Sequence, residues 1–518
     1  MLMRSKTSAK KHRIMKVVLE RGLQIEPEAL EELEKLEPTV LDDVLEKILA
    51  RVVERKGFIV RLDDFKLILK SEEGTSKKET QVSVAVRQTS ARDIEARIEV
   101  LFDPTEKLSG GASVEDFYRY FRSRFEKLKR ILRRRMDVRG SIPIDEVLKS
   151  REKSRVKFIG MVTEKTKRRG YRFQIEDPEA SITVVVPENA DRRVLEKAEA
   201  ILQDQVICVS GVKLSSDLVL ADDLIFPDVP EHRVQTSDEE VYAALVSDIH
   251  IGSRFFMDKQ FERFLKWLNG KEGAEPFRRL ADKVKYLLVC GDVVDGVGVY
   301  PGQERELAID NLIQQYEHAA KYFSMVPDHI EVIVIPGNHD ASRQALPQPA
   351  IFRKYAEPLY NLDNVRVLGN PCLVSLHGVK TLMYHGRSLD DVLANIHGLS
   401  FQEPDKAMEL LLKARHLAPM YGQRTAIAPE EEDYLVIEDL PAIFHSGHVH
   451  VVKHKYYRGV LITNSGAWQE QTEYQKKNGL KPLPGVVPIV NLKTLQLLYI
   501  DFRRSSLEAM AEPPISYP

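Results

Sequence analysis

At 518 residues, the chain is too long for one ordinary core and has room for roughly three or four domains. Its 43% hydrophobic and 30% charged content is that of a soluble globular protein, and the net charge of −2 hides local asymmetry. No stretch approaches the ~20 continuous apolar residues of a membrane span, and no signal-peptide core follows the basic start MLMRSKTSAKKHR. Cys208, Cys290 and Cys372 stand far apart, each in or beside an apolar segment. They read as buried free thiols of a reducing compartment, which places the chain in the cytoplasm.

Taken in chain order, residues 14–56 carry helical periodicity, and 1–70 read as a small helical N-terminal module. Ile14, Val17 and Val18 share a face before Gly22, and Leu41, Val44, Leu45, Ile48, Leu49 and Val52 share a longer one. Residues 71–112, opening on SEEGTSKKET, are poor in apolar residues and read as a flexible linker. A basic amphipathic helix and connector follow over 113–150, with Phe117, Phe121, Phe125, Leu128 and Leu132 at helical spacing. Between Arg119 and Arg139, ten Lys or Arg stand against two acids. This is either a solvated face or a contact for phosphate backbone or an acidic partner, and the aromatic stripe is a candidate partner-binding face.

Residues 151–230 contain five β-type runs: VKFIGMV, YRFQIED, SITVVVP, QVICVSGV and LVLADDLIF. A helical pattern near 191–203 precedes the fourth, which is the order of an OB-type β-barrel. Its first hairpin, KTKRRGYR (165–172), offers five basic residues and Tyr171 for holding single-stranded nucleic acid by charge and stacking. Such barrels also serve as protein-docking modules. From 236 to 502, short apolar runs alternate with helical stretches, the texture of an α/β layered domain. Helical patterns between 387 and 440 read as an insertion framing a crevice, and 503–518 as a flexible tail.

In that α/β region, five of six apolar runs end in polar clusters: SDIHIG (247–252), GDVVDG (291–296), PGNHD (336–340), HGRS (385–388) and SGHVH (446–450). Open α/β sheets build their sites beyond such strand ends. Asp248 and His250 are two residues apart and point the same way if the segment is extended, and His448 and His450 repeat the spacing. With Asp292, Asn338 and His385 they make two carboxylates, an amide and four imidazoles. This mixed O/N set suits Mn²⁺, Fe or Zn²⁺ better than Mg²⁺ alone. Seven donors exceed one tetrahedral site and fit two divalent ions ~4 Å apart that share one carboxylate. Any one cluster alone is ordinary turn chemistry; the five together, each at a strand end, are specific.

The motif order resembles the calcineurin-like metallophosphoesterase superfamily, whose pattern DxH, GD, GNH[DE], H and GHxH is present without substitution. The resemblance implies that Asp248, His250 and His450 hold one metal, that Asn338, His385 and His448 hold the other, and that Asp292 bridges them. It also implies that His339 protonates the leaving oxygen and Asp340 orients it. NHDASRQALPQPAIF, LLKARHLAPMYGQRTAIAPE (411–430) and the domain order resemble the small subunit of the archaeal family D DNA polymerase. The fold class is then multidomain α/β: helical N-terminal module, OB-type barrel and calcineurin-like α/β sandwich. The family implies a 3′→5′ exonuclease that acts on single strands and mismatched primer ends. It further implies a preference for Mn²⁺ and a heterodimer with a large catalytic polymerase subunit. Non-catalytic B-subunits of eukaryotic replicative polymerases share the domain order but have lost the ligands. A phosphatase acting on another substrate and a purely assembling subunit are the alternative readings. Arg387, Arg415 and His416 are candidate DNA contacts.

Overall fold

The computed structural model describes residues 90–513, apart from 232 and 478, and scattered positions between 11 and 60. The chain divides into two units, one up to Gln88 and one from Thr89 onward. In the first, Ile14, Val18, Leu33, Leu41, Val44, Leu45, Ile48, Leu49 and Val52 are buried together. Gln24–Ile25 and Ile59–Val60 form a two-residue parallel ladder there. The part of the expected linker before residue 90, and residues 61–70 of the expected helical module, lie outside the described residues.

In the second unit, the remainder of the expected linker is built into the fold. Ile98–Phe102 is a strand (β1) that pairs antiparallel with Cys372–Leu376 as the edge of a six-stranded sheet. Val100 and Leu101 face solvent, so its composition carried no periodic burial signal.

Helix α1 (Val114–Arg133) starts at a capping box between Ser113 and Asp116. Glu115 and Asp116 lie in its first turn and Arg130 and Arg133 in its last, matching the helix dipole. Its stripe is consumed within the chain. Phe125, Leu128 and Leu132 pack with Ile159, Val206, Cys208 and Ile225 of the barrel, and the rings of Phe117 and Phe121 lie 5.3 and 5.5 Å from that of Tyr421. The stripe is therefore not an open partner-binding face.

The barrel is closed, with strands β2 (Arg155–Arg168), β3 (Gly170–Glu176), β4 (Ser181–Pro187), β5 (Val206–Ser215) and β6 (Leu218–Ile225) in the order β2-β3-β4-β6-β5. Helix α2 (Arg192–Ala200) enters between the third and fourth strands, as expected for the OB topology. In the first hairpin, Lys165 donates to the carbonyls of Glu199 and Ile201, Lys167 pairs with the Glu199 carboxylate, and the hydroxyl of buried Tyr171 bonds that same carboxylate. Tyr171 is thus not free to stack on a base, while Arg168, Arg169 and Arg172 stay exposed.

The remaining chain forms two facing sheets with helices outside, four layers in all. In the first sheet, β7 (Tyr242–Val246), β8 (Val284–Cys290), β9 (Glu331–Ile335) and β10 (Val365–Val367) run parallel. In the second, β11 (Cys372–Leu376) pairs antiparallel with β12 (Val379–Tyr384), which runs parallel to β13 (Ile443–Ser446) and, through it, to Val460–Asn464. Alternation decides the layers. Ala243, Leu245, Leu288, Ile333 and Ile335 meet Cys372, Val374, Met383 and Ile443 between the sheets. Ala244, Val246, Val289 and Val334 face Phe264, Trp267, Tyr316 and Phe323 of the outer helices. Leu382, Tyr384, Phe444 and Ile462 meet Val392, Met408 and Leu411 on the other outside. Strands covered on both faces read as unbroken apolar runs, which is why the sequence shows them so clearly.

The expected tail is also partly folded: Ala509–Met510 pairs with Tyr499 and Ile500, while 514–518 lie outside the described residues. The three cysteines are buried and unpaired. Among the described residues, no helix is long and apolar enough to cross a membrane.

Candidate metal centre and crevice

Parallel strands share one carboxyl edge, so the loops after β7, β8 and β9 and those after β12 and β13 emerge together. Asp248, His250, Asp292, Asn338, His385 and His450 are all buried and His448 is half-buried. Their donor atoms form overlapping clusters. Asp248, His250 and His450 bring one atom each within 4.8 Å of one another, and so do Asp292, His385 and His448. Asp292 joins them, its Oδ2 lying 3.9 Å from His250 Nε2 and 3.4 Å from His385 Nε2. All seven residues named from the sequence are thus brought together.

The way they are presented differs from the extended geometry expected. Asp248, His250, Asp292, His448 and His450 have φ of 51°, 55°, 50°, 71° and 59°, left-handed values unusual for residues with a side chain. Each such residue costs of order 1 kcal/mol or more. The loops curl around the site rather than continuing the strands. A side chain at Gly337 would put Cβ 2.1 Å from Asp292 Oδ1, so only glycine lets the Asn338 loop approach so closely.

Hydrogen bonding fixes how each ring faces the centre. His385 Nδ1 lies 2.9 Å from the carbonyl oxygen of Cys290, an acceptor, so Nδ1 carries the proton. His385 Nε2 then faces Asn338 Oδ1 at 3.0 Å and Asp292 Oδ2 at 3.4 Å, both oxygens able to act as acceptors. His250 Nδ1 is 3.0 Å from the Asp295 carboxylate, which turns its Nε2 towards His450 Nε2 at 3.2 Å. Asp248 Oδ1 is buried with no hydrogen-bond donor and lies 3.3 Å from His450 Nε2. Two carboxylates, an amide oxygen and imidazole nitrogens crowded into one pocket are groups that a bound cation would satisfy together, and this O/N set suits a borderline divalent metal. On that test the residues fit a metal pair.

The protein's own charges point the same way. Burial would raise the Asp292 carboxyl, yet the imidazoles of His385, His339 and His250 hold it well below the usual carboxylate range. Asp248 is also buried and is held at about 2, chiefly by His450. Burial opposes the charging of His385, but Asp292 and Asp248 lift it to about 9. A metal would take the place of that proton.

His339 has its backbone N–H on Asp292 Oδ1 at 2.8 Å, and its ring stands edge-on to His250 with centroids 4.7 Å apart. Its Nδ1 is 2.7 Å from the main-chain carbonyl of Asp295, not from Asp340. Asp340 instead accepts from Gly337 N, Val293 N, Val294 N and the Tyr316 hydroxyl, bracing two ligand loops. The role expected of Asp340 therefore passes to Asp295, which orients His250 with its side chain and His339 with its backbone. The sequence reading missed it, although Asp295 stands inside the GDVVDG cluster. Asp390, 3.2 Å from His448 Nε2, and Gln475, 3.0 Å from His450 Nδ1, were missed as well.

Arg415 and His416 are not placed to contact DNA. Arg415 is buried and spends its guanidinium on the carbonyls of Ile437 and Glu438. His416 is buried between Asp433 at 2.8 Å and the Ala418 N–H at 3.1 Å. Arg387 lines a crevice of about 570 Å³ over the metal-ligand candidates, joined there by Arg424, Phe401, Val449 and Leu480.

The region of the four-layer sandwich that carries this loop constellation is similar to the B-subunits of DNA polymerases. The family model for the alpha/epsilon DNA polymerase B-subunit matches residues 243–452. The DNA polymerase II small subunit of Methanothermobacter thermautotrophicus is 44% identical over 402 residues, 77% of this chain and 82% of that one. That of Archaeoglobus fulgidus is 42% identical over 480 residues, 92% and 95% of the two chains. The chain belongs to this family, the small subunits of the archaeal family D DNA polymerase. Among solved structures, an archaeal phosphodiesterase is 14% identical and covers 50% of this chain and 99% of that chain. Its TM-score of 0.26 is too low to carry any argument.

Proposed function

We propose that this chain is a divalent-metal-dependent 3′→5′ exonuclease, acting on single-stranded DNA and mismatched primer ends beside a large subunit that synthesises DNA. The observation that carries the reading is the convergence of two carboxylates, four imidazoles and an amide oxygen on one pocket, with Asp248 and Asp292 each set among imidazole nitrogens. Asp248, His250 and His450 would hold one ion and Asn338, His385 and His448 the other, with Asp292 between them. Such a pair, with Mn²⁺ the first choice, supplies charge neutralisation for a phosphodiester and activation of water. The directionality and the mismatched-end substrate follow from the family resemblance.

The chain's own residues complete the chemistry. Asp295 holds His339 through Nδ1, leaving Nε2 to carry a proton to the leaving oxygen. The His339 N–H, in turn, fixes one oxygen of Asp292. The crevice brings Arg387 and Arg424 to the ligand set as cationic groups for a polyanionic strand.

The test is cleavage of a 3′-labelled and a 5′-labelled oligonucleotide by the purified chain with Mn²⁺, alongside a phosphomonoester. Stepwise shortening from the 3′ end, abolished by Asp292→Asn and by His339→Ala in folded protein, is the expected result. Full activity in either variant discards the mechanism. Preference for the monoester would make the chain a phosphatase, and inactivity of the wild type would leave an assembling subunit.

A further inference from the structure

The crevice is lined by residues of two chemical kinds. Arg387 and Arg424 stand near Asp390, on the His448 side of the ligand set, and both guanidiniums act electrostatically on that carboxylate. Neither guanidinium makes a hydrogen bond or ion pair among the described residues, although both line the crevice. Arg424 is not held there by chance. Its backbone N–H and that of Thr425 donate to the two oxygens of buried Asp391 at 3.0 and 3.1 Å, which pins the strap that carries it.

The second kind is apolar. Phe401 comes from the loop between Leu389–Asn395 and Pro404–Ala414, Val449 from between His448 and His450, and Leu480 from the loop after Glu473–Lys477. Phe401 and Val449 pack on the core of the outer layer yet keep part of their surface open. The two outer loops are tied into one rim by Gln402 Nε2, which donates to the Lys481 carbonyl at 3.3 Å. A half-exposed aromatic residue and aliphatic side chains, lining one crevice with two guanidiniums that make no hydrogen bond, match a nucleotide's planar base and anionic phosphate. The roughly 570 Å³ of space falls within the size range of small-molecule pockets.

We propose that this crevice is a subsite for one unpaired nucleotide, with Phe401 as the platform for its base and Arg387 and Arg424 as the clamp for its phosphate. Stacking on an aromatic ring is tolerant of sequence but requires a base released from its pair. The subsite therefore selects frayed or mismatched ends over duplex. The inference rests on the nuclease reading for its choice of polymer, but its test does not read cleavage.

The full chain, in EDTA, is titrated against two fluorescent single strands of equal length and charge, one oligo-dT and one abasic throughout. Wild type is expected to bind oligo-dT more tightly than the abasic strand. Phe401→Ala should weaken the dT strand alone by about 10-fold, and Phe401→Trp should restore it. Arg424→Gln should weaken both strands alike and lower the slope of log affinity against log salt by about one phosphate contact. Circular dichroism melting shows whether each variant is folded. Equal binding of the two strands by wild type, or equal loss on both in Phe401→Ala, overturns the proposal. Since no metal is present, an inactive nuclease would defeat only the preceding reading.

Discussion

Asp295→Asn tests the site most directly, because it removes a charge and leaves shape almost unchanged. The Asp295 carboxylate accepts His250 Nδ1 at 3.0 Å and Gln469 Nε2 at 3.1 Å on one oxygen, and Gln303 Nε2 at 3.2 Å on the other. An asparagine must place its NH₂ on one of those two sides, against a group that already donates. The less costly turn sets the NH₂ against Gln303 and keeps the amide oxygen on His250 and Gln469, so the Gln303 bond is lost and the bond that aims His250 loses its charge. A hydrogen bond to a charged group contributes about 1.5–3 kcal/mol, roughly one to two orders of magnitude in affinity. Residues that orient metal-binding histidines typically change affinity by about 10–100-fold. Isothermal titration of the full chain with Mn²⁺ is therefore expected to show one of two sites weakened by about that factor. The weakened site is the one built from Asp248, His250 and His450, with the other little changed. The Asp295 main-chain carbonyl that receives His339 survives the substitution, so that ring stays in place. Two sites of wild-type affinity in Asp295→Asn would refute the assignment of Asp295 as the group that aims His250.

Three further outcomes are expected. Asp433→Asn leaves the fully buried Arg124, now 2.7 Å from Asp433 Oδ2, without its counter-charge and should cost about 3–5 kcal/mol, whereas Arg124→Met with Asp433→Leu should recover most of it. Hydrogen exchange in 415–436 and urea unfolding measure both. His416 is held at about 4, first by burial and then by Arg124, and its Nδ1 is occupied by the Ala418 N–H. The unfolded chain therefore binds a proton between pH 6.5 and about 4 that the folded chain refuses, and stability falls with falling pH across that window by about 1.4 kcal/mol per unit. Unfolding curves of wild type and His416→Asn should diverge there and run parallel above pH 7. Finally, Gly337→Ala drives Cβ to 2.1 Å from Asp292 Oδ1, and Mn²⁺ titration should show both sites disturbed together, since Asp292 lies between them.

How much of this was legible follows from where each signal lives. The sandwich strands announced themselves because both faces of each sheet are covered. The candidate ligands did so because each polar cluster interrupts such a run at its carboxyl end. Edge strand β1 could not be seen, since Val100 and Leu101 are exposed and its partner in the sheet, Cys372–Leu376, lies far along the chain. Nor could the buried guanidinium of Arg124 be told from its neighbours in a helix full of basic residues. Its partner Asp433 is brought in by the same strap that buries Arg415 and His416. Residues that a loop's own strand aims were brought together as expected, and the misplaced ones are those that meet a second loop.

Asp295 and Asp340 make that distinction sharp. Both are acids in strand-end clusters, and Asp340 is the immediate neighbour of His339 in sequence, so adjacency favoured it as the orienting group. Adjacent residues on a tight turn, however, point in different directions. Here Asp340 turns inward to take four donors, from Gly337, Val293, Val294 and Tyr316. A carboxylate so engaged sets the spacing of two loops and has no oxygen to lend to His339. Asp295 reaches His250 and His339 at once because its own loop is laid between them, with Gln303 closing over it. One acid therefore governs loop placement and the other governs side-chain aim. The two substitutions should then separate: Asp340→Asn in stability, Asp295→Asn in metal affinity.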